Sequence, residues 1–374
     1  MKLSVGFIIG SFRYGGAERD LLELARRLDR STYDLHILYL EREGEMLADV
    51  ESTGAAMRPL GIGSLLSPRG FAAVRSARDY LRQHHVGVLQ GFGVYGSFYA
   101  AVIAGGLPDV KVIAYEFTPV PPPGLKARLF QPWYYRRAAR IVGNSDAVLE
   151  AVAARRGVDE RRLVKIHNGV NAALYAAPAG NGPHPIEAVP AGAPVVGSVG
   201  RLNRVKGHDY LIAAWPGVLA QFPDARLVLV GPAWPKDQER IEKAVAGSGC
   251  ADRIVLLGLR RDVPALLRAM DVVALPSLTE GFSNVVIEAG AAERVVVATR
   301  VGGNPEAIVE GETGLLVPPR DPAALTAAIV ILLKDPQRRK RMGQAARERV
   351  ARLYSVERMV SSYDALYRSL AARP

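Results

Sequence analysis

Apolar runs of strand length alternate with amphipathic, helix-length stretches, and this alternation starts twice along the chain. In the first series the strand-like runs are 3–9, 33–40, 87–90, 110–114 and 140–143, with helical patterns between them, as at 17–28 and 71–83. The second series places them at 194–199, 226–230, 253–257, 271–275, 295–299 and 314–317. Strands buried on both faces need no polar alternation, and a helix between successive strands is the crossover that parallel pairing requires. The pattern predicts an α/β chain of two Rossmann-like, doubly wound domains that face each other across an interdomain cleft. Between the series, residues 176–185 are rich in Pro, Gly and Ala and lack apolar periodicity, so 176–190 reads as a linker between domains at 1–175 and 191–354. A length of 374 residues suits two such cores. After a basic helical stretch at 336–352, residues 355–370 read as an amphipathic helix with Met359, Tyr363, Leu366, Tyr367 and Leu370 on one face and Ser355 as its N-cap.

Charge and cysteine content narrow the setting. Cys250 is the single cysteine, which excludes a disulfide framework and points to a reducing compartment. The apolar run 7–9 is too short for a secretory signal and 323–333 too short to span a bilayer, so a cytoplasmic protein is expected, soluble or peripherally bound. The net charge of +11 favours anionic partners. Basic residues concentrate with aromatics at 126–140, where Lys126, Arg128, Arg136, Arg137 and Arg140 accompany Trp133, Tyr134 and Tyr135. This stretch reads either as a patch for an anionic membrane surface or as a solvated helix face with Trp133 and Tyr134 in the core. Stacking aromatics are not arrayed along a basic groove, so no nucleic-acid partner is expected.

The segment Glu280-Gly-Phe-Ser-Asn-Val-Val-Ile-Glu288 carries the most chemistry. It follows the strand-like run 271–275 and opens a helix, the layout that places ligands at the carboxyl edge of a parallel sheet. Amides at 283–286 favour an anion, and two carboxylates beside it suit a ligand with phosphate and hydroxyl groups, as in a nucleotide sugar. Glu288 is a candidate partner for a ribose diol or a solvated helix residue; Glu280 is a candidate for sugar hydroxyls or a charge compensating the helix dipole. The loop Gly200-Arg201-Leu-Asn-Arg204-Val-Lys206-Gly207 puts fixed cations on the same sheet edge and reads either as a site that neutralises a departing diphosphate or as a solvated βα loop. The turn at 10–19, with Gly15 and Gly16, either leaves amides for an anion or is an ordinary flexible βα turn, and it lacks the Gly-Lys-Ser/Thr of a Walker A loop. Gly91-Phe-Gly93-Val-Tyr-Gly96, with Glu116 downstream, fits a dinucleotide fingerprint and supports an alternative, a nicotinamide oxidoreductase. The six histidines show no metal-ligand spacing, and no Asp-x-Asp element is present, so no metal is expected.

Together these motifs resemble glycosyltransferase family 4, retaining enzymes of the GT-B fold. The resemblance runs through Gly15-Gly16-Ala-Glu-Arg, Asn168-Gly-Val-Asn171, Gly200-Arg201 to Lys206-Gly207, Glu280 to Glu288, Val301-Gly-Gly-Asn-Pro-Glu306 and Gly311-Glu-Thr-Gly314. It implies a nucleotide-diphosphate-sugar donor held mainly by the second domain, without a metal or other cofactor. Arg201 and Lys206 would hold the diphosphate, Glu288 the ribose and Glu280 the donor sugar. Amides at Phe282, Ser283, Asn284 and Val285 would meet phosphate and sugar oxygens, and Gly16 would approach the phosphate. The base would lie near Gly231-Pro232 and Gly258-Leu259-Arg260-Arg261. The last helix would cross back to the first domain. Transfer to a saccharide or lipid-linked acceptor in cell-envelope or exopolysaccharide assembly is the implied activity, with a nucleotide-sugar epimerase as the alternative within the fold. The sequence departs from the family at Phe117, beside Glu116, where many members carry histidine. It departs again at Asn171, where Asp is common, and at Glu293 and Val295, in place of Gly and Pro.

Overall fold

The computed structural model describes residues 2–62, 65, 67–121, 124–176 and 186–371, the side chains of 125–128 excepted. Most of the expected linker, 177–185, lies outside the described residues. The chain divides into two compact units, one of Met1–Gly169 with Val356–Pro374 and one of Val170–Ser355.

In the first unit, β1 (Leu3–Ile9), α1 (Gly16–Arg27), β2 (Tyr33–Tyr39), α2 (Leu47–Glu51), β3 (Ala56–Pro59), α3 (Pro68–Gln83), β4 (Val86–Phe92) and α4 (Gly93–Ala104) come first. They are followed by β5 (Lys111–Glu116), α5 (Leu125–Arg137), β6 (Arg140–Gly143), α6 (Asp146–Ala153) and β7 (Leu163–Lys165). The second unit holds β8 (Val195–Val199), α7 (His208–Leu219), β9 (Arg226–Val230), α8 (Pro235–Ala246), β10 (Ile254–Gly258), α9 (Val263–Arg268) and β11 (Val272–Leu275). It continues with α10 (Asn284–Ala291), β12 (Val295–Thr299), α11 (Asn304–Ala307), β13 (Gly314–Val317), α12 (Pro322–Lys334) and α13 (Pro336–Leu353). The final helix, α14 (Val356–Ala371), returns to the first unit.

Each unit is built on one parallel sheet, ordered β3-β2-β1-β4-β5-β6-β7 in the first and β10-β9-β8-β11-β12-β13 in the second. Strand order reverses beside β1 and beside β8, and such reversals open a crevice at the carboxyl ends of the strands. Successive side chains of a strand point to opposite faces, so each sheet supports two cores. Phe7 and Ile37 pack with α1 and α14, while Ile8 and Leu38 pack with α3 and α4. In the second unit Val273 and Leu275 face one layer, Val272 and Ala274 the other.

The apolar face read at the end of the chain is what docks α14. Met359, Tyr363, Leu366 and Tyr367 are buried against the first sheet, and Leu370 packs at the margin. Tyr367 donates to Gln90 Oε1 at 2.6 Å, Tyr33 donates to Asp364 Oδ1 at 2.6 Å, and Arg27 pairs with Glu357 at 3.0 Å.

Two strands escaped the sequence pattern. β3 and β7 are the outer strands of the first sheet, and their half-exposed residues lack a continuous apolar run. An edge strand buries less, so its sequence signals less. Gly91 lies inside β4 rather than after it. Glu293, where the family usually has glycine, takes φ +56, a left-handed conformation that glycine adopts without cost.

Candidate active site

Three loops at the carboxyl edge of the second sheet interlock around Glu280. The loop after β8 ends in a 3-10 turn at Arg204–Lys206, where the Asn203 side chain accepts from the Lys206 amide at 3.2 Å. Gly207 then takes φ +67, and a Cβ there would lie 2.1 Å from the Pro276 carbonyl oxygen. Only glycine allows that approach, and it brings the β8 and β11 loops together, with Leu278 N–H donating to Val205 O at 2.7 Å. Lys206 Nζ consequently donates to Glu280 Oε1 at 2.6 Å, and Ser277 Oγ donates to the same oxygen at 2.7 Å. The Glu280 side chain is 8% exposed and that of Lys206 28%, so the pair lies at a mouth that a ligand can reach.

The loop after β12 supports this arrangement from behind. Gly302 has φ +51, and a Cβ on it would fall 1.7 Å from the Glu280 carbonyl oxygen. Gly303 N–H donates to Gly281 O at 2.8 Å, Thr299 Oγ1 donates to Ser277 O at 2.5 Å, and Asn304 Nδ2 donates to Thr299 O at 2.9 Å. The Gly302-Gly303 motif thus has a definite task, to let one backbone back directly onto another.

Ser283 is the N-cap residue of α10, and its Oγ is buried without a hydrogen-bond partner. A buried, unpaired hydroxyl at a helix N-terminus is a ready contact for an oxygen-rich ligand. Asn284 and Val285 are half-buried at the start of α10, and Phe282 is buried with its ring 5.1 Å from that of Tyr354. Glu288 is 2% exposed, which rules out the reading of a solvated helix glutamate. Arg201 lies over the Trp234 ring, 5.4 Å from its centroid, while Arg204 is exposed. Gly231 follows β9 at φ +143, where a Cβ would meet the Gly200 carbonyl oxygen at 2.1 Å, and its amide donates to Gly258 O. Leu259, next after β10, is 42% exposed. Gly16 begins α1 in the first unit.

The sequence reading missed Ser277 as a partner of Glu280, whereas His208 flanks the cationic loop in sequence and is expected there in a structural role. The His208 imidazole is buried at the start of α7, and desolvation, reinforced by Lys206 and Arg240, pushes its pKa down to about 3. It is therefore a neutral neighbour of the cationic loop.

The dinucleotide-like glycines serve packing. A Cβ on Gly91 would lie 2.3 Å from the Gly96 backbone, and one on Gly96 2.6 Å from Ile8 O, so these glycines let α4 lie against β4 and β1. Glu116, the acid of that fingerprint, is turned inward. It accepts from Tyr134 at 2.7 Å and pairs with Arg155 at 3.4 Å. Phe117 is exposed beside it, its ring over Gly93.

Although separated in sequence, His36 and His84 come together with Asp34 at the amino-terminal part of β2, the opposite edge from the carboxyl-end loops. Strand alternation places Asp34 and His36 on one face, and α3 delivers His84 to it.

Residues 14–174 match the Glycosyltransferase Family 4 model, and residues 193–335 match Glycosyl transferases group 1. The lipopolysaccharide core biosynthesis mannosyltransferase LpcC of Rhizobium leguminosarum bv. viciae is 30% identical over 252 residues, covering 64% of this chain and 67% of that protein. A D-inositol 3-phosphate glycosyltransferase of Corynebacterium urealyticum is 37% identical over 193 residues, 50% of this chain and 45% of that one. The chain spans about half the length of the inositol phosphate glycosyltransferases it matches. HepE from Anabaena, solved in complex with UDP, superposes with a TM-score of 0.84 at 23% identity, covering 99% of this chain and all of that one. A Rickettsia africae glycosyltransferase superposes at 0.86 with 20% identity over both full chains. With two parallel-sheet α/β units, a likeness to GT-B structures and these sequence matches, the chain belongs to glycosyltransferase family 4.

Proposed function

We propose that the protein is a retaining, metal-independent glycosyltransferase, moving a sugar from a nucleoside-diphosphate sugar to a saccharide or lipid-linked acceptor. The contact of Lys206 with Glu280 at the mouth of α10 carries this reading, because it sets a fixed cation and a sugar-binding carboxylate side by side. Lys206 and Arg201 neutralise the diphosphate as it leaves, a task that preorganised cations perform without a metal. The amides of Phe282, Ser283, Asn284 and Val285, with the Ser283 hydroxyl, receive phosphate and sugar oxygens. Glu288 accepts from the ribose diol. Gly231 and Leu259 border the base, and the resemblance alone assigns Gly16 to the phosphate.

In the transfer the bond between the anomeric carbon and the phosphate oxygen breaks, and a bond from that carbon to the acceptor oxygen forms on the same face. The acceptor proton passes to the leaving phosphate oxygen. Glu280 is a poor candidate for that proton, since one of its oxygens already accepts from Lys206 and Ser277. The names of relatives support the substrate class: HepE has been solved with UDP-glucose, and LpcC is named for mannosyl transfer in lipopolysaccharide core assembly. An envelope-polysaccharide setting is proposed on that basis.

A membrane-facing role for α5 belongs to the same proposal. Tyr134 and Tyr135 are buried, so the helix is anchored in the core. Leu129 and Phe130 are exposed beside Arg136 and Arg137, and Arg137 lies 4.1 Å from the Trp133 ring centroid. No helix among the described residues is long and apolar enough to cross a membrane. Vesicles containing anionic lipid should bind the protein at low salt and release it at high salt; absence of low-salt binding rejects the role.

The activity itself is tested by a thermal-shift panel of nucleoside diphosphates and their sugars, followed by assay with candidate acceptors. Nucleoside diphosphate should be released only when acceptor is present, and the product should keep the donor's anomeric configuration. Release without acceptor, or an inverted product, overturns the reading.

A further inference from the structure

The second feature with chemistry of its own lies at the opposite edge of the first sheet. Asp34 and His36 occupy alternate positions of β2 and share the face covered by α3. His84 is the C-cap residue of α3, and Tyr80 stands four residues before it, one turn back on the same face. His36 is 1% exposed and lies between the two, its ring centroid 5.5 Å from that of Tyr80 and 4.9 Å from that of His84. Nε2 of His36 is 3.2 Å from Asp34 Oδ2, and Nδ1 is 2.9 Å from the Tyr80 hydroxyl. One ligand atom from each of Asp34, His36 and His84 lies within 4.8 Å of the others.

We propose that Asp34, His36 and His84 form a binding site for a transition-metal dication such as Zn2+ or Co2+, distinct from the sugar-transfer site. Two imidazoles and a carboxylate are a borderline donor set, and metal–ligand bonds of about 2 Å put neighbouring ligands of a tetrahedral ion about 3.3 Å apart. The His36–Asp34 separation already meets this, and His84, half-buried at a helix end, closes the remaining distance by rotation. On binding, the His36 proton resides on Nδ1 and is donated to the Tyr80 oxygen, the outer-shell bond that fixes a ligating imidazole. The fourth position is left to water. An ion there ties β2 to the end of α3 and stabilises the first unit.

Equilibrium dialysis of the full chain against Zn2+, with Co2+ absorption as a coordination probe, tests this. One ion per chain is expected, with a rise in the melting temperature. Asp34→Asn and His84→Ala alter exposed or half-buried side chains and keep the fold. Each should weaken Zn2+ binding at least tenfold, while His85→Ala leaves it unchanged. No bound Zn2+, or binding that survives both variants, overturns the site.

Discussion

The carboxyl edges of the two sheets share a topology and use their carboxylates in opposite ways. In the second unit Glu280 meets Lys206 at a solvent-accessible mouth, with the start of α10 beside it. In the first unit Asp20 and Glu116 are sunk among tyrosines. Tyr115 donates to Asp20 Oδ2 at 2.6 Å, and Tyr134 donates to Glu116. Desolvation, opposed chiefly by the Tyr115 bond, lifts the Asp20 pKa to about 7, and burial raises that of Glu116 as well. A carboxylate paired with a lysine at a mouth stays available to a charged ligand. One held by phenols in the interior organises the fold and gains a proton readily. The doubly wound frame thus leaves the job of each edge to a few loop residues.

The sharpest way to break this contrast is Lys206→Ala. It should cut turnover by about 100- to 1000-fold, as loss of one preorganised charge contact does, while the protein remains folded. Undiminished turnover would remove the diphosphate role. On the other edge, Asp20 predicts a pH effect on stability. Its folded pKa of about 7 exceeds the ordinary carboxyl value of 3.8, so the native state holds the proton more tightly. The associated stability is fully present below pH 3.8 and is lost as pH rises to about 7. The slope reaches at most about 1.4 kcal/mol per pH unit. Asp20→Asn keeps an acceptor for Tyr115 and should flatten that slope, raising stability at pH 8; denaturant melts across pH check it.

Gly302→Ala probes the support behind Glu280. With φ +51 and the Glu280 carbonyl in the way, it should cost about 1–3 kcal/mol of stability and lower kcat/KM along with it. Glu288→Gln should be milder, weakening nucleoside diphosphate binding about tenfold in titration calorimetry with kcat at saturating donor little changed. Chelation should have the smallest effect of all. EDTA should leave turnover unchanged, and strict metal dependence would contradict the charge-neutralising role of Arg201 and Lys206.

Much of this was legible because parallel strands announce themselves. The runs at 3–9, 140–143, 226–230, 295–299 and 314–317 coincide with strands residue for residue. What stayed hidden lacked either apolar density or proximity in sequence. β3 and β7 are short edge strands. The burial of Glu288 does not follow from its place in a helix, because the same spacing suits an exposed face. Ser277 is three residues from Glu280 and unremarkable until a loop bends its hydroxyl back. The task of Gly302 appears only when two loops, separated by β12, touch. His36 and His84 are 48 positions apart in sequence, and only the packing of α3 on β2 joins them.

The return of α14 has a consequence for biosynthesis. Residues 170–355 form a contiguous unit, whereas the first unit lacks Tyr363 and Tyr367, two of its largest buried side chains, until α14 has been made. At synthesis rates of about 5–20 residues per second, the first sheet waits on the order of tens of seconds for that helix. On the face that holds Phe7 and Phe92, Phe7 lacks its contact with the Tyr367 ring during that interval. The first unit, although begun before the second, therefore finishes folding after it, because it waits for α14.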